Sequence, residues 1–91
     1  MNNELQKLAT LLTNAKIPFE FNSIIDTNDQ ICYPSYDHRI CDAVCHKYSY
    51  GYNEGLLEIM GLVKIDYDDV EGWLTAKEVF TRIKEDYERR N

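Results

Sequence analysis

The chain has no excess of positive charge, and this disfavours several classes of partner. It carries 10 lysine and arginine residues against 16 aspartate and glutamate residues, a formal net charge of −6. A surface that follows a phosphate backbone or an anionic membrane needs clustered basic side chains. We therefore expect no direct nucleic-acid binding and no membrane binding, whereas basic protein partners remain compatible with the composition.

The sequence also lacks a long apolar run, an even number of cysteines and a targeting signal. Glu58 interrupts the longest apolar run, which is much shorter than a membrane span. Three cysteines are an odd number, and no basic segment followed by an apolar one opens the chain, so we expect no secretory signal. These features predict a cytoplasmic protein with reduced thiols.

Signatures of the standard enzyme classes are missing as well. There is no glycine-rich phosphate loop after a strand, no serine elbow and no pair of histidines at helical spacing. We therefore expect no enzymatic activity, no catalytic residue and no cofactor. With 91 residues the chain is long enough for one domain, spanning 1–91, and too short for two.

Two amphipathic helices are predicted near the ends of the chain. Leucines at three- and four-residue spacing predict a helix over residues 3–15. Thr75 and Glu78 have the spacing of a capping box, which predicts that a second helix begins there and continues over residues 76–89. The apolar positions that define its 3.6-residue period are Ala76, Val79, Phe80, Ile83 and Tyr87.

Short strands are predicted between the helices. Pro18 cannot donate a ladder hydrogen bond, so the first strand, over residues 17–21, is expected at a sheet edge. Residues 30–33 form a second strand, paired with the first as a hairpin. The order of elements predicts an α+β fold: a mainly antiparallel sheet of three to four strands, with the N-terminal and C-terminal helices packed on one face.

The central stretch, residues 39–62, is predicted to be a two-stranded ribbon. Alternation puts Cys41, Ala43 and Cys45 on an apolar face, which Leu57 and Ile59 can join after a turn. The residues placed on the opposite face are Val44, His46, Tyr48 and Tyr50. Residues 38–48 also fit a helical stripe, which remains an alternative.

The tyrosine-bearing face of this ribbon is the first candidate site. If both helices cover the apolar face, these rings must meet water or a partner. Tyrosine is also a common strand former, so the same rings can instead pack on their strand neighbours. For a ligand, the rings supply stacking area and the nearby cations can meet phosphate. The predicted ligand-binding residues are Arg39, His46, Lys47, Tyr48, Tyr50 and Tyr52.

Metal sites are weaker interpretations of the cysteines, the histidines and the acidic segment. Three cysteines and two histidines supply zinc-ligand types, but without close pairs, and Cys45 and His46 would point to opposite faces of a strand. The same geometry opposes a Cys–His nucleophile pair. In a calcium loop of EF-hand spacing, Tyr67 would occupy the first position, where a carboxylate is required. We therefore predict no metal and treat the cysteines as small buried hydrophobes.

A cluster of acidic residues after the ribbon is the second candidate site. It contains Asp66, Asp68, Asp69 and Glu71. Such a surface can occupy a basic cleft of another protein, because charge speeds encounter and selects the partner.

Three segments carry a resemblance to a known group of proteins. They are residues 49–51, residues 56–61 and residues 71–76, which read SYG, LLEIMG and EGWLTA. From about Ile31 to the end of the last helix, the chain resembles small uncharacterised proteins encoded by phages and prophages of Gram-positive bacteria. The resemblance implies the cytoplasm of a bacterial host cell and a binder of host molecules.

Two hypotheses of function follow. In the first, the protein sequesters a nucleotide-derived immune signalling molecule of the host, an anti-defence role. In the second, the acidic surface mimics nucleic-acid charge and blocks a basic host protein. Because a tyrosine-bearing face and unpaired ribbon edges can be covered by a second copy, we also expect a homo-oligomer.

Overall fold

The computed structural model describes the backbone of residues 3–24, 28–64 and 69–91, and the side chains of residues 3–22, 29–64 and 69–91. Within these residues, two helices and five strands follow one another. They are α1 (Asn3–Asn14), β1 (Glu20–Ile24), β2 (Asn28–Tyr33), β3 (Cys41–Val44), β4 (Leu57–Met60), β5 (Val70–Leu74) and α2 (Ala76–Arg90).

The strands form one antiparallel sheet in the order β1-β2-β3-β4-β5. The α+β class is confirmed, but the sheet has five strands instead of the three to four predicted. The additional strand is β5, which begins within the acidic cluster, where no strand was predicted. Glycine and acidic residues have a low propensity for strands, so the sequence around Gly72 does not predict β5. The strand is stabilised by pairing with β4.

The ribbon of β3 and β4 lies in the middle of the sheet, so its edges are paired with β2 and β5. The expectation of unpaired ribbon edges was wrong. As predicted, β1 is an outer strand, but it begins at Glu20 and not at Ile17, so Pro18 precedes the strand. The predicted course of residues 45–50 was also wrong, because β3 ends at Val44 and a turn follows. Neither the extended strand nor the alternative helix forms there.

The apolar face of the ribbon is confirmed. Cys41, Ala43, Cys45, Leu57 and Ile59 are all buried, with at most 7% of any of them exposed. They join a single cluster with buried side chains from both helices: Leu5, Leu8, Leu12, Val79 and Ile83. Each fully buried aliphatic side chain of this kind contributes about 1.5 to 3 kcal/mol of transfer free energy.

The helix α2 begins with the predicted capping box. Thr75 accepts from the backbone of Glu78, and the Glu78 carboxylate accepts from the backbone of Thr75. Its core stripe differs from the predicted one, because Phe80 is only partly buried and Asp86 is buried.

The buried carboxylate of Asp86 has several partners. Oδ2 accepts hydrogen bonds from the Tyr33 hydroxyl and from Arg90 Nε, both at 2.8 Å, while Oδ1 accepts from Arg89 Nη2 at 3.1 Å. Burial raises the pKa of this carboxyl, but the hydrogen bonds from Arg90, Tyr33 and Arg89 outweigh burial, so the net pKa is lowered. The bonds offset the desolvation of the charge and fasten the end of α2 to β2.

The other face of the sheet is partly covered at one side. The loop after β2 crosses this side, where the Tyr36 amide donates to Glu20 Oε1 at 3.3 Å and Arg39 pairs with Asp42 at 3.6 Å. Cys32 is therefore fully buried, although it points away from the helices. Neither helix in the described part of the chain is long and apolar enough to cross a bilayer.

Candidate ligand-binding site

The connection between β3 and β4, residues 45–56, carries three exposed tyrosines, and we call it the aromatic turn. A compact bend begins it: the Ser49 amide donates to the His46 carbonyl at 2.8 Å, and the Ser49 hydroxyl donates to the same carbonyl at 2.7 Å. The His46 amide donates back to Ser49 Oγ at 2.9 Å. Ser49 is buried, so these bonds hold the backbone and direct the neighbouring rings outward.

Glycines shape the second half of the aromatic turn. Gly51 and Gly55 have φ values of 96° and 71° and flank a single-turn 3-10 helix, Tyr52–Glu54. A side chain is strained in this left-handed region, and glycine is not. The Leu56 amide donates to the Gly51 carbonyl at 2.9 Å, which closes the turn and returns the chain to β4.

The central feature of the site is a pair of stacked rings from distant parts of the sequence. The centroids of Tyr50 and Trp73 lie 5.5 Å apart, and the planes differ by 12°. Parallel aromatic pairs at this spacing are favourable by about 0.5 to 1.5 kcal/mol beyond area burial. Nevertheless 52% of Tyr50 and 57% of Trp73 are exposed, so ring surface of both residues is available to a ligand.

Backbone contacts hold Tyr50 against β4 and β5. Its amide donates to Glu58 Oε2 at 2.6 Å, and its carbonyl accepts from the Trp73 amide at 3.3 Å. A Cβ atom built on Gly72 would lie 2.1 Å from Tyr50 Cβ and 2.7 Å from its carbonyl oxygen. Only glycine allows β5 to approach the aromatic turn this closely.

Trp73 has an unusual backbone conformation for an aromatic residue. Its φ is 57°, in the left-handed region, which costs an L-residue about 1 to 2 kcal/mol. The conformation coincides with the irregular register between β4 and β5 and presents the indole on the surface.

A cavity of about 190 Å³ lies beside the stacked rings. Tyr50, Tyr52 and Trp73 supply its aromatic wall. Its polar side chains come from Lys47, Ser49, Asn53 and Glu54. The cavity therefore combines ring faces, one cation, one carboxylate and one amide.

His46, Lys47 and Tyr48 form a more exposed group on the same turn. The His46 and Tyr48 rings meet edge to face with centroids 6.4 Å apart, and Lys47 Nζ lies 5.1 Å from the Tyr48 centroid. Tyr48 is 80% exposed. Of the six predicted ligand-binding residues, the structure places Lys47, Tyr50 and Tyr52 on one cavity and His46 and Tyr48 on the adjoining surface.

Arg39, the remaining predicted residue, is engaged elsewhere. Its guanidinium lies 4.6 Å from the centroid of Tyr36 and 3.6 Å from Asp42. Asp42 also accepts from Gln30 Nε2 at 2.9 Å. Arg39 lines a separate depression with Met60 and Gly61 and does not line the cavity beside Trp73.

Only part of the predicted acidic surface lies within the described residues. Asp66 and Asp68 lie outside the described residues, as does Tyr67, and Asp69 is exposed. Glu71 points to the helices and forms a two-pronged ion pair with Arg82, at 2.6 Å and 2.8 Å. Glu71 is therefore bound within the fold.

Arg82 determines the ionisation of Glu71. Its hydrogen bonds, together with one at 2.9 Å from the Lys64 amide, lower the pKa of Glu71 to about 2 against the opposing effect of burial. Arg82 also donates to the Leu62 carbonyl at 3.2 Å. This ion pair joins α2 to β5 and to the segment after β4.

The thiols show the features of structural cysteines. Cys32, Cys41 and Cys45 are free and buried, and burial raises the pKa of Cys41 to about 12. A protonated thiol is a poor nucleophile and a poor metal ligand. Within the described residues, no group of three or more His, Cys, Asp or Glu side chains could hold a metal ion.

The sequence analysis missed Trp73, Asn53 and Glu54 as members of the site. Asn53 and Glu54 follow the tyrosines directly, so their position in the turn was an available signal. No local signal identifies Trp73, because its contact with Tyr50 depends on the pairing of β4 with β5. Comparison of the chain with family models, with curated proteins and with solved structures finds no match.

Proposed function

We propose that this chain is a non-enzymatic binding protein that holds the planar ring of a nucleotide-derived ligand against Tyr50 and Trp73. The observation that carries the proposal is the exposed, parallel pair of rings beside a cavity. Stacking of a base on an aromatic side chain contributes about 1 to 3 kcal/mol. Two preordered rings offer this contact with little loss of conformational freedom on binding.

The backbone of Trp73 supports a binding role. A left-handed conformation is costly for tryptophan, and such costs concentrate at functional sites, where the surrounding structure maintains them. Packing of a buried indole would offset this conformational cost, but 57% of Trp73 is exposed. A ligand that covers the indole would supply the missing contact.

The resemblance to phage proteins suggests the purpose of such binding. A phage benefits when a nucleotide signal of host immunity is removed, and sequestration needs affinity without chemistry. Lys47 is the cation of the cavity and would meet phosphate, with His46 and Tyr48 beside it. Arg39 is not part of this proposal, because Asp42 and Tyr36 engage it.

A thermal-shift screen tests the proposal. The panel contains nucleosides, mononucleotides, cyclic dinucleotides and cyclic ADP-ribose-type ligands. We expect at least one of them to raise the melting temperature of the wild type, and Tyr50→Ala to abolish the shift while remaining folded. Tyr36→Ala is the matched control, because Tyr36 is similarly exposed but contacts Arg39 outside the cavity, and it should retain the shift.

The fate of the ligand separates sequestration from catalysis. After incubation and denaturation, chromatography should return the ligand unchanged. A converted ligand would contradict the non-enzymatic proposal, and a thermal shift that Tyr50→Ala retains would place binding away from the aromatic turn.

A second candidate function rests on the net charge of −6. In this case the exposed Asp69 and its acidic neighbours in sequence occupy a basic cleft of a host protein. The result that favours it is a panel without any thermal shift, combined with a purified basic partner whose binding weakens on Asp69→Asn. Glu71 would not contribute, since Arg82 neutralises it.

A further inference from the structure

We infer that the cavity beside Trp73 selects a mononucleotide: one base with an exocyclic amine and a single phosphate group. This inference rests on the proposed function and names the ligand class for the same site. Three properties of the cavity carry it: its size, its charge and the polar groups at its rim.

The size of the cavity limits the number of bases. Its volume is about 190 Å³, below the roughly 300 to 1,000 Å³ of pockets that enclose drug-sized ligands. The cavity has room for one ring system against Tyr50 and Trp73. The second base of a cyclic dinucleotide would remain outside and would add little affinity.

The charges of the cavity limit the number of phosphates. Among the described residues that line the cavity, Lys47 is the cation and Glu54 is the acid, and both are exposed. Lys47 can offset one phosphate group, but Glu54 repels each additional one. The protein as a whole is also negative, which adds to the repulsion.

The rim can read the edge of a base. The carboxylate of Glu54 accepts hydrogen bonds from an amine, and the amide of Asn53 can both donate and accept. The same side-chain types recognise the amines of cytosine and adenine in nucleic-acid complexes. A base that bears an exocyclic amine therefore fits this rim better than one without it.

The single tryptophan of the chain provides the measurement. Because Trp73 is exposed and lines the cavity, a base that stacks on it should quench intrinsic fluorescence. The probes are cyclic AMP, cyclic di-AMP and the cyclic monophosphate of purine riboside, which lacks the amine. We expect cyclic AMP to bind about tenfold more tightly than the purine analogue, and cyclic di-AMP to bind no more tightly than cyclic AMP.

Variants of two surface residues test which side chain contacts the amine and which contacts the phosphate. Glu54→Ala, which has no side-chain acceptor, should remove most of the preference for the amine, and Lys47→Gln should reduce binding of cyclic AMP to that of adenosine. Both side chains are exposed, so the variants should keep the wild-type melting temperature. If cyclic di-AMP binds more than tenfold more tightly than cyclic AMP, the single-base inference is overturned and the proposed function stands. If no nucleoside or nucleotide quenches Trp73, both are overturned.

Discussion

Trp73 combines two properties at one residue that usually exclude each other. Its backbone has the left-handed conformation that favours glycine, and its large side chain is mostly exposed. The stack with Tyr50 recovers part of the conformational cost. Backbone stability alone would favour glycine at this position. Substitutions can therefore separate the cost of the left-handed backbone from the gain of the ring stack.

We expect Trp73→Gly to be more stable than Trp73→Ala by about 1 kcal/mol. Both variants lose the stack with Tyr50, but only glycine relieves the strain at φ 57°. Urea denaturation of the two variants measures the difference in the free energy of unfolding. An alanine variant that equals or exceeds the glycine variant would show that the backbone of residue 73 is not left-handed.

The lowered pKa of Glu71 predicts a loss of stability in acid. The hydrogen bonds from Arg82 lower its folded pKa to about 2, whereas its unfolded pKa is about 4.3. A depressed carboxyl pKa contributes stability above the unfolded value and loses it as pH falls toward the folded value. We expect the free energy of unfolding to fall between about pH 4.5 and 2, by up to about 3 kcal/mol from this group.

The control for this pH dependence is Glu71→Gln, which cannot ionise. Its stability should be lower at neutral pH, and its acid profile should be flatter than that of the wild type. Asp86, whose pKa is also lowered, contributes acid sensitivity in the same direction and remains present in the variant. Parallel profiles for the two proteins would contradict the proposed strength of the ion pair with Arg82.

At the scale of elements, the site depends on how closely β5 approaches the aromatic turn. Gly72 lies against Tyr50, and Gly51 lies against the backbone of Trp73, where a Cβ atom would be 2.9 Å from the Trp73 amide. The strand β5 and the aromatic turn are thus packed backbone against backbone. The ring stack follows from this docking, because Tyr50 and Trp73 are the residues at the point of approach.

We expect Gly72→Ala to separate β5 from the turn. The added methyl group would overlap Tyr50 Cβ, and relief requires a backbone shift that costs about 1 to 3 kcal/mol. Two measurements test this: the free energy of unfolding, and the fluorescence of Trp73, which should change when its contact with Tyr50 opens. A variant with wild-type stability and spectrum would show that the turn does not pack against β5 as described.

At the scale of the whole molecule, the fold rests on one apolar cluster between the sheet and two helices. Cys32 and Cys41 sit on neighbouring strands but face opposite sides of the sheet, since Cys32 pairs with Asp42 and Cys41 with Tyr33. This geometry prevents a disulfide between them. The cysteines therefore stabilise the fold through burial and not through cross-links.

We accordingly expect neither EDTA nor dithiothreitol to change the melting temperature. The physical reason is that burial of aliphatic side chains, and not metal or disulfide bonding, accounts for the core of the described residues. Differential scanning calorimetry with and without each reagent measures this. A clear fall with EDTA would indicate a metal bound to the native state, because removal of a native-state ligand lowers apparent stability.

The sequence by itself determined the elements whose signals are local. Capping at Thr75 and Glu78 and the alternation of Cys41, Ala43 and Cys45 depend on neighbours within a few residues, and the structure confirms them. The predicted apolar stripe of α2 is confirmed at Ala76, Val79 and Ile83, whereas Phe80 and Tyr87 are only partly buried. The alternation also placed Tyr48 and Tyr50 on one candidate surface, although it assigned them to the face of a strand and not to a turn.

The tertiary structure alone decided which distant residues meet. The fifth strand, the pairing of Glu71 with Arg82 and the stack of Tyr50 on Trp73 each join segments that are far apart in the chain. Their free energy comes from long-range pairing and packing, which local propensity does not encode. For the same reason Arg39, close to the tyrosines in sequence, was assigned to the site, whereas the fold directs it to Asp42 and Tyr36.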